Sequence, residues 1–268
     1  MRHGRWQWGW WLQGRPLLVG AAGILAVGLA VAALHPAPVG DGSWDDDPGP
    51  VDLAGHADER AAMVATQLER PTDGRVPIVD ERVLAAMRAV PRHAFVPRAL
   101  RSRAYDDSPL PIGHGQTISQ PFVVAWMTEL LGIAPGARVL EVGTGSGYQA
   151  AVLAAMGARV YSVEILVPLH ARSRRILEAS GVTCRSGDGY HGWPEEAPFD
   201  GILVTCAAGH LPPALFEQLA PTGRIVIPIG GSGEVQRLVV ITKSATGERC
   251  SKTVGSVRFV PLVRGPGS

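Results

Sequence analysis

Cysteine is scarce in this 268-residue chain, which contains three: Cys184, Cys206 and Cys250. Three thiols cannot all pair within one chain, so a disulfide scaffold is excluded and a reducing environment is mildly favoured. None of them shows the close Cys/His spacing of a zinc site, and no histidine has a partner at ligand spacing. We therefore expect no bound metal.

Charge is also sparse. Asp, Glu, Lys and Arg make up 18% of the residues, and the formal net charge is +1. No general basic field is available to hold nucleic acid, so we expect no nucleic-acid partner. The charges are unevenly distributed along the chain. Residues 1–34 carry a net charge of +3, residues 35–59 carry −7 and residues 60–268 carry +5.

Residues 16–34 contain no charged side chain, and this run of nineteen residues approaches the roughly 20 needed to cross a bilayer core. The preceding segment, residues 1–15, is basic and contains four tryptophans, and an acidic stretch follows. The positive-inside rule then places the amino terminus in the cytoplasm and the rest outside. The pattern predicts an N-terminal apolar helix that is either a membrane anchor or a signal segment. If translation of the natural protein instead starts at Met63, the apolar segment is not part of that protein and has no role in its function.

Residues 35–56 are rich in Pro, Gly and Asp and have few large apolar side chains. Such a segment cannot bury enough surface to offset its ordering entropy, so we expect a disordered acidic linker. Residues 57–268 then form one α/β domain, because the chain is too short for two large domains.

Five β-branched, apolar runs alternate with helical segments in this domain. They are ARVLEVG (137–143), ARVYSVE (158–164), GVTCRSGD (181–188), FDGILVTC (199–206) and GRIVIPIG (223–230). The alternation predicts a doubly wound, mainly parallel sheet. Two further runs, 236–244 and 256–263, predict a C-terminal antiparallel strand pair, which makes the sheet seven-stranded.

Two helices precede this sheet. Residues 80–90 place apolar side chains at helical spacing and end before Pro91. Residues 122–133 form the second helical segment, with Pro121 suited to its first turn and Gly132 near its end.

A glycine-rich turn, GTGSG at residues 143–147, joins the first strand to the next helix. Glycines there allow a sharp turn and let a ligand approach the amides at the helix amino terminus. The dinucleotide fingerprint requires a third glycine where this chain has Tyr148. A nicotinamide or flavin cofactor is therefore disfavoured.

Two acids follow at the ends of the next two strands. Glu164 ends the second strand, where a carboxylate can accept both hydroxyl protons of a ribose. Asp188, between Gly187 and Gly189 after the third strand, is placed to accept from an adenine amino group. Taken singly, each acid could instead cap a helix or make a turn. Together with the glycine-rich turn, they indicate a ligand site at the carboxyl ends of the strands.

The run EVGTGSGY (141–148), the acid that ends the second strand and the Gly-Asp-Gly turn resemble the S-adenosylmethionine site of class I methyltransferases. More narrowly, PLPIGHGQTISQP (109–121), PFDGILVTCAAGHLPP (198–213) and VRFVPLV (257–263) resemble protein-L-isoaspartate O-methyltransferases of the bacterial type. The resemblance runs from about residue 57 to residue 263. The motif G-x-G-Q-T-I-S-x-P separates this family from other methyltransferases.

The resemblance implies a Rossmann-like methyltransferase domain over residues 57–268 and S-adenosyl-L-methionine as cofactor. It implies a cytoplasmic monomer that methylates L-isoaspartyl residues in damaged proteins and peptides and so initiates their repair. By the same resemblance Ser119 is the catalytic residue, and the substrate-binding residues are Gln116, Thr117, Ile118 and Ser119. Those that bind the cofactor are Glu141, Gly143, Thr144, Gly145, Ser146, Gly147, Glu164, Asp188 and Gly189.

Methylation of a carboxylate is compatible with a Gln-Thr-Ile-Ser loop that carries no charge and no general base. An α-carboxyl group has a reference pKa of about 3.5, so it is ionised at pH 7 and needs no general base. Two alternatives stay open: the acceptor is another carboxylate or small molecule, or the chain is a membrane-tethered protein that binds the donor without turnover. Location also stays open, because the amino-terminal charges direct the domain outward whereas the donor is made in the cytosol.

Overall fold

The computed structural model describes residues 55–265 of the chain. The basic segment 1–15, the apolar run 16–34 and the predicted linker up to residue 54 lie outside the described residues, so those interpretations stay predictions. None of the helices within residues 55–265 is both long enough and apolar enough to cross a membrane.

Helices and strands alternate through the second half of the domain, as predicted. The helices are α1 Ala57–Met63, α2 Glu81–Ala89, α3 Pro121–Leu131, α4 Tyr148–Ala155, α5 Val167–Leu177 and α6 Pro213–Glu217. The strands are β1 Leu110–Pro111, β2 Thr117–Ile118, β3 Arg138–Val142, β4 Arg159–Glu164, β5 Thr183–Ser186, β6 Phe199–Val204, β7 Leu219–Ile229, β8 Gln236–Lys243 and β9 Arg249–Val257.

Strands β3 to β9 form one seven-stranded sheet in the order β5-β4-β3-β6-β7-β8-β9. Neighbouring strands from β5 to β7 are parallel, and β8 and β9 add in the antiparallel sense. The predicted doubly wound sheet with a C-terminal antiparallel pair is confirmed. Because β3 lies between β4 and β6, the strand order reverses at β3, which is where open α/β sheets bind their ligands.

The central strands are buried on both faces, which explains their continuous apolar sequences. Val139 and Leu140 of β3 and Ile202 of β6 are completely buried. One apolar cluster joins Val139 to residues of α2, α3 and α4, and a second joins Leu140 and Ile202 to Leu215 of α6. These two layers fix the positions of the strand ends.

Both helices predicted before the sheet are confirmed. The Asp80 side chain caps α2 by accepting from the amide of Arg82 at 2.9 Å. Pro121 occupies the first turn of α3. Gly132 ends α3 with a φ of 63°, a left-handed conformation that favours glycine.

The final strand differs from the prediction. We expected it at residues 256–263, but β9 is Arg249–Val257, and most of its side chains are exposed. A strand at the edge of a sheet can be polar, so the search for an apolar run missed it. The apolar run that follows leaves the sheet and crosses the strand ends, where Pro261 pairs with Ala207.

Candidate active site

A cavity of about 860 Å³, including its open mouth, lies at the carboxyl ends of β3, β4 and β6. The floor of the cavity is formed by the ends of these three strands and the residues directly after them, at positions 143–146, 164–166 and 205–206. Residues 116–119 line it from one side, and residues 259–263 from another. Cavities at this position, beyond the carboxyl ends of parallel strands, are where open α/β sheets bind small molecules and cofactors. The glycine-rich turn and the Gln-Thr-Ile-Ser loop therefore share one cavity.

Most of the residues assigned to the cofactor belong to the wall of this cavity. Those that line it are Glu141, Gly143, Thr144, Gly145, Ser146, Glu164 and Gly189. Gly147 and Asp188 lie outside its lining. Gly147 precedes α4 with a φ of 89°, and its amide donates to the carbonyl of Thr144 at 2.8 Å. Gly147 therefore shapes the turn.

Gly143 cannot carry a side chain. Its φ is 99°, in the left-handed region. A Cβ atom there would lie 2.6 Å from Oγ1 of Thr205, at the end of β6. The single proton of the Thr205 hydroxyl is shared between the carbonyls of Val142 and Gly143, whose oxygens lie 2.9 and 2.6 Å from Oγ1. The sharp turn and the close approach of two strand ends together require glycine.

Glu164 joins the floor of the cavity to the glycine-rich turn. Its carboxylate accepts from the amide of Gly145 at 2.8 Å and from the amide of Leu166 at 2.9 Å. The side chain therefore makes a local turn contact and lines the cavity as well. A carboxylate has about four acceptor positions, so two remain for hydroxyl groups of a ligand.

Glu141 is a completely buried acid in the wall of the cavity. Its Oε2 accepts from the Ser162 hydroxyl at 2.5 Å, and the Ser162 and Thr144 hydroxyls are 2.5 Å apart. Its Oε1 has no hydrogen-bond partner among the described residues. Burial, with a smaller contribution from the negative charge of Glu164, raises the pKa of Glu141 to about 8, against the favourable Ser162 contact. A cationic ligand group at Oε1 would relieve this penalty.

The electrostatic character of the cavity follows from its lining. Glu141 and Glu164 are its two acids, and no Lys, Arg or His from residues 55–265 lines it. Cys206 also lines it, but burial, and then the two carboxylates, raise the pKa of this thiol well above its ordinary value. The cysteine is thus neutral and does not serve as a nucleophile. The cavity suits a ligand that carries positive charge.

Asp188 lies just outside the cavity, at the end of β5. Its Oδ1 accepts from the amide of Tyr190 at 2.9 Å. Its Oδ2 accepts from the amide of Gly265 at 3.0 Å and from Nε of Arg264 at 3.3 Å. Gly189, the next residue, does line the cavity, and a Cβ atom there would lie 2.4 Å from Cγ1 of Val142.

The Gln-Thr-Ile-Ser loop is held by a short antiparallel ribbon. In this ribbon Leu110 of β1 pairs with Ile118 of β2. The buried side chain of Ile118 anchors the loop, while Ser119 is half-buried and lines the cavity. No described residue hydrogen-bonds the Ser119 hydroxyl. This hydroxyl is therefore available to a ligand.

Sequence reasoning missed one wall of the cavity. The residues of this wall come from the chain after β9: Phe259, Val260, Pro261, Leu262 and Val263. The sequence pattern assigned these residues to a strand. The match of VRFVPLV (257–263) to the family is the sequence signal that marks this segment as functional.

The chain matches a known family over most of its length. The family model described as protein-L-isoaspartate(D-aspartate) O-methyltransferase matches residues 67–267. A protein-L-isoaspartate O-methyltransferase 2 from Polaromonas sp. is 53% identical over 203 residues, which cover 75% of this chain and 96% of the relative. One from Halorhodospira halophila is 59% identical over 193 residues, covering 70% of this chain and 86% of the relative.

Solved structures agree. A structure described as protein-L-isoaspartate O-methyltransferase has a TM-score of 0.63 and 31% identity, and the match covers 69% of this chain and 61% of that one. A Plasmodium falciparum protein, a candidate of the same activity solved with S-adenosyl-L-homocysteine, has a TM-score of 0.65 and 25% identity. That match covers 78% of this chain and 99% of the other. The Rossmann-like methyltransferase fold is confirmed.

The raised pKa of Glu141 predicts how stability depends on pH. The folded state holds a proton up to about pH 8, whereas the ordinary value is 4.5. The stabilising effect of that bound proton is present below pH 4.5 and is lost as the pH rises through 8. Urea unfolding of wild type and Glu141→Gln should therefore show wild type losing stability relative to the variant across this window, by at most about 1.4 kcal/mol per pH unit. A constant difference between the two proteins across that window would contradict the buried, protonated acid.

Proposed function

The chain belongs to the protein-L-isoaspartate(D-aspartate) O-methyltransferase family, and from this membership we infer that it methylates L-isoaspartyl residues in damaged proteins and peptides. S-adenosyl-L-methionine is the methyl donor. The acceptor is the free α-carboxylate of the isoaspartyl residue, and formation of its methyl ester initiates repair. The observation that carries this function is the cavity that the glycine-rich turn and the Gln-Thr-Ile-Ser loop share.

The residues present fit this donor. When bound, it supplies a methyl group on a sulfonium cation. The cavity contains two acids, Glu164 and Glu141, and no lining cation within residues 55–265. Glu141 holds a proton at pH 7 when no ligand is bound, and a cation next to its Oε1, which has no hydrogen-bond donor among those residues, would favour its ionised form. These features favour a positively charged ligand.

Each assigned residue then has a role. We propose that the turn at residues 143–147 and Glu141 hold the methionine part of the donor. Glu164 holds the ribose hydroxyls with its remaining acceptor positions. Asp188 and Gly189 meet the adenine, with Gly189 in the cavity wall and Asp188 immediately behind it.

The chain itself needs no general base. The acceptor carboxylate is already ionised at pH 7, since its reference pKa is about 3.5. As it approaches the sulfonium the two charges neutralise each other, and a cavity that excludes water favours this loss of charge. An arginine clamp on the carboxylate would stabilise the ground state instead. The neutral Gln116, Thr117, Ile118 and Ser119 are suited to this requirement.

We propose that Ser119 positions the acceptor. Its hydroxyl is half-buried, lines the cavity and has no partner among the described residues. It can therefore donate to one carboxylate oxygen and direct the other toward the methyl carbon, at the roughly 3 to 3.5 Å separation that a reactive geometry needs.

We further propose that the protein acts as a monomer in the cytoplasm, because the donor is made there. Membrane attachment through residues 16–34 stays a prediction from their apolar sequence. Fractionation of cells that produce the full chain, followed by gel filtration, tests these points.

The acceptor is tested with two peptides that differ in one linkage. We expect the chain to transfer labelled methyl groups from S-adenosylmethionine to an isoaspartyl peptide and to leave its aspartyl twin unlabelled, because the family to which it belongs acts on the isoaspartyl linkage. Equal labelling of both peptides would reject repair methylation. Donor binding by calorimetry without any labelling would identify a binding protein.

Replacement of Ser119 by alanine tests the positioning role. Loss of one preorganised donor costs about 2.7 kcal/mol, so kcat of Ser119→Ala should fall roughly 10²-fold. The matched control is Ser256→Ala, an exposed serine of β9. Steady-state kinetics with the isoaspartyl peptide provide the measurement. Wild-type kinetics in Ser119→Ala would exclude this role.

A further inference from the structure

The chain after β9 forms a strap, residues 259–265, along the cavity. Its first five residues line the cavity. In the middle it is fastened to the end of β6, where the Ala207 amide donates to the carbonyl of Val260 at 2.8 Å and the Leu262 amide donates to the carbonyl of Ala207 at 2.7 Å. At its start, the amide of Phe259 donates to Oε1 of the buried Gln236 at 2.8 Å.

The far end of the strap is fastened at Asp188. The Gly265 amide and the Arg264 guanidinium both donate to Oδ2 of this acid, at 3.0 and 3.3 Å. The Arg264 guanidinium also lies 3.5 Å from the centre of the Tyr190 ring. The Tyr190 hydroxyl is 2.9 Å from Nε2 of His210. Two independent contacts of Arg264, an ion pair and a cation–π stack, thus converge on residues 188–190.

Asp188 is ionised in this arrangement. Burial opposes its ionisation, but the amides of Gly265 and Tyr190 and the Arg264 guanidinium outweigh burial and lower the pKa of the carboxyl. The ion pair is therefore charged on both sides. Its side chains are 35% exposed at Arg264 and 13% exposed at Asp188, so solvent weakens the pair only in part.

The position of this contact gives it a role. Gly189 lines the cavity directly beside Asp188, and residues 259–263 of the strap line it as well, so the contact at Asp188 joins two parts of the cavity wall. Under the proposed function, on which this inference rests, residues 188 and 189 mark the adenine end. A donor or product that leaves past this wall must displace the strap, and the contact at Asp188 resists that displacement.

We propose that Arg264 is a positioning residue for the methyl donor, acting through Asp188 and Tyr190 to hold the strap closed over the adenine end of the cavity. The guanidinium restrains Oδ2 of the carboxylate, while Oδ1 accepts from the amide of Tyr190 beside Gly189 of the cavity wall. It thereby sets how long the donor and its product stay bound. The chemical step at the opposite end, near Ser119, does not depend on it.

The test compares Arg264→Ala with Arg264→Lys and Arg258→Ala. Arg264 is exposed, so its replacement removes no core packing. Lysine keeps the charge but lacks the planar guanidinium that stacks on Tyr190. Arg258 is an exposed arginine that immediately precedes the strap, and it forms no ion pair within residues 55–265, which makes it the matched control.

The expected result is a separation of KM from kcat. Arg264→Ala should raise both the dissociation rate constant of S-adenosylhomocysteine and the KM for the donor about tenfold, as expected for loss of a partly exposed ion pair and a cation–π contact. Its kcat with an isoaspartyl peptide should not fall more than twofold. Arg264→Lys should recover part of the loss, and Arg258→Ala should match wild type. Stopped-flow displacement and steady-state kinetics give these constants.

Three outcomes overturn the inference. Wild-type dissociation rate and KM in Arg264→Ala would show that the strap is held without this residue. A fall in kcat at unchanged KM would assign Arg264 to the chemical step, and an equal effect of Arg258→Ala would indicate a general charge effect. Failure of the proposed function is distinguishable, because wild type would then not methylate the isoaspartyl peptide at all.

Discussion

The site depends on one topological constraint, the reversal of strand order at β3. Because β4 lies on one side of β3 and β6 on the other, the loops after these strands diverge and leave a cavity between them. The turn after β3 must therefore bend sharply beneath the end of β6, and Gly143 meets that demand. Every other feature of the site is placed relative to this opening.

Charge in the cavity follows from this placement. Glu141 and Glu164 are carried to the cavity by buried strands, where solvent cannot compensate them fully. Because of that position, Glu141 has a raised pKa, and one of its oxygens has no hydrogen-bond partner within residues 55–265. Under the proposed function, a cationic donor compensates Glu141, and the neutral loop around Ser119 leaves the acceptor carboxylate free to react. In this proposal the donor half of the cavity needs negative charge, which Glu141 and Glu164 provide. The acceptor half needs neutral residues, which the loop around Ser119 provides.

Much of this arrangement could be predicted from the sequence, for identifiable reasons. Strands β3, β4, β6, β7 and β8 contain apolar runs because they are largely buried. The glycine-rich turn, with an acid at the end of each of the next two strands, indicates a ligand site there. The family motif located Ser119 and its loop. Strand β9 could not be found in this way, because an edge strand with exposed side chains carries no apolar pattern.

The strap and the surroundings of Asp188 also escaped prediction. Contacts between Asp188 and Arg264 join positions far apart in sequence, and no local pattern encodes them. The role of Glu164 is likewise not determined by the local sequence pattern. The sequence presents a turn contact and a ligand-binding position as alternatives for Glu164, whereas the structure contains both.

A crystal structure of the chain with S-adenosylhomocysteine tests the central claim most directly. The account predicts the product in the cavity, with its ribose hydroxyls at hydrogen-bonding distance from Glu164, its adenine against Gly189 and the Ser119 hydroxyl facing the sulfur. An empty cavity in crystals soaked at saturating product, or a Ser119 side chain directed away from the sulfur, would contradict it.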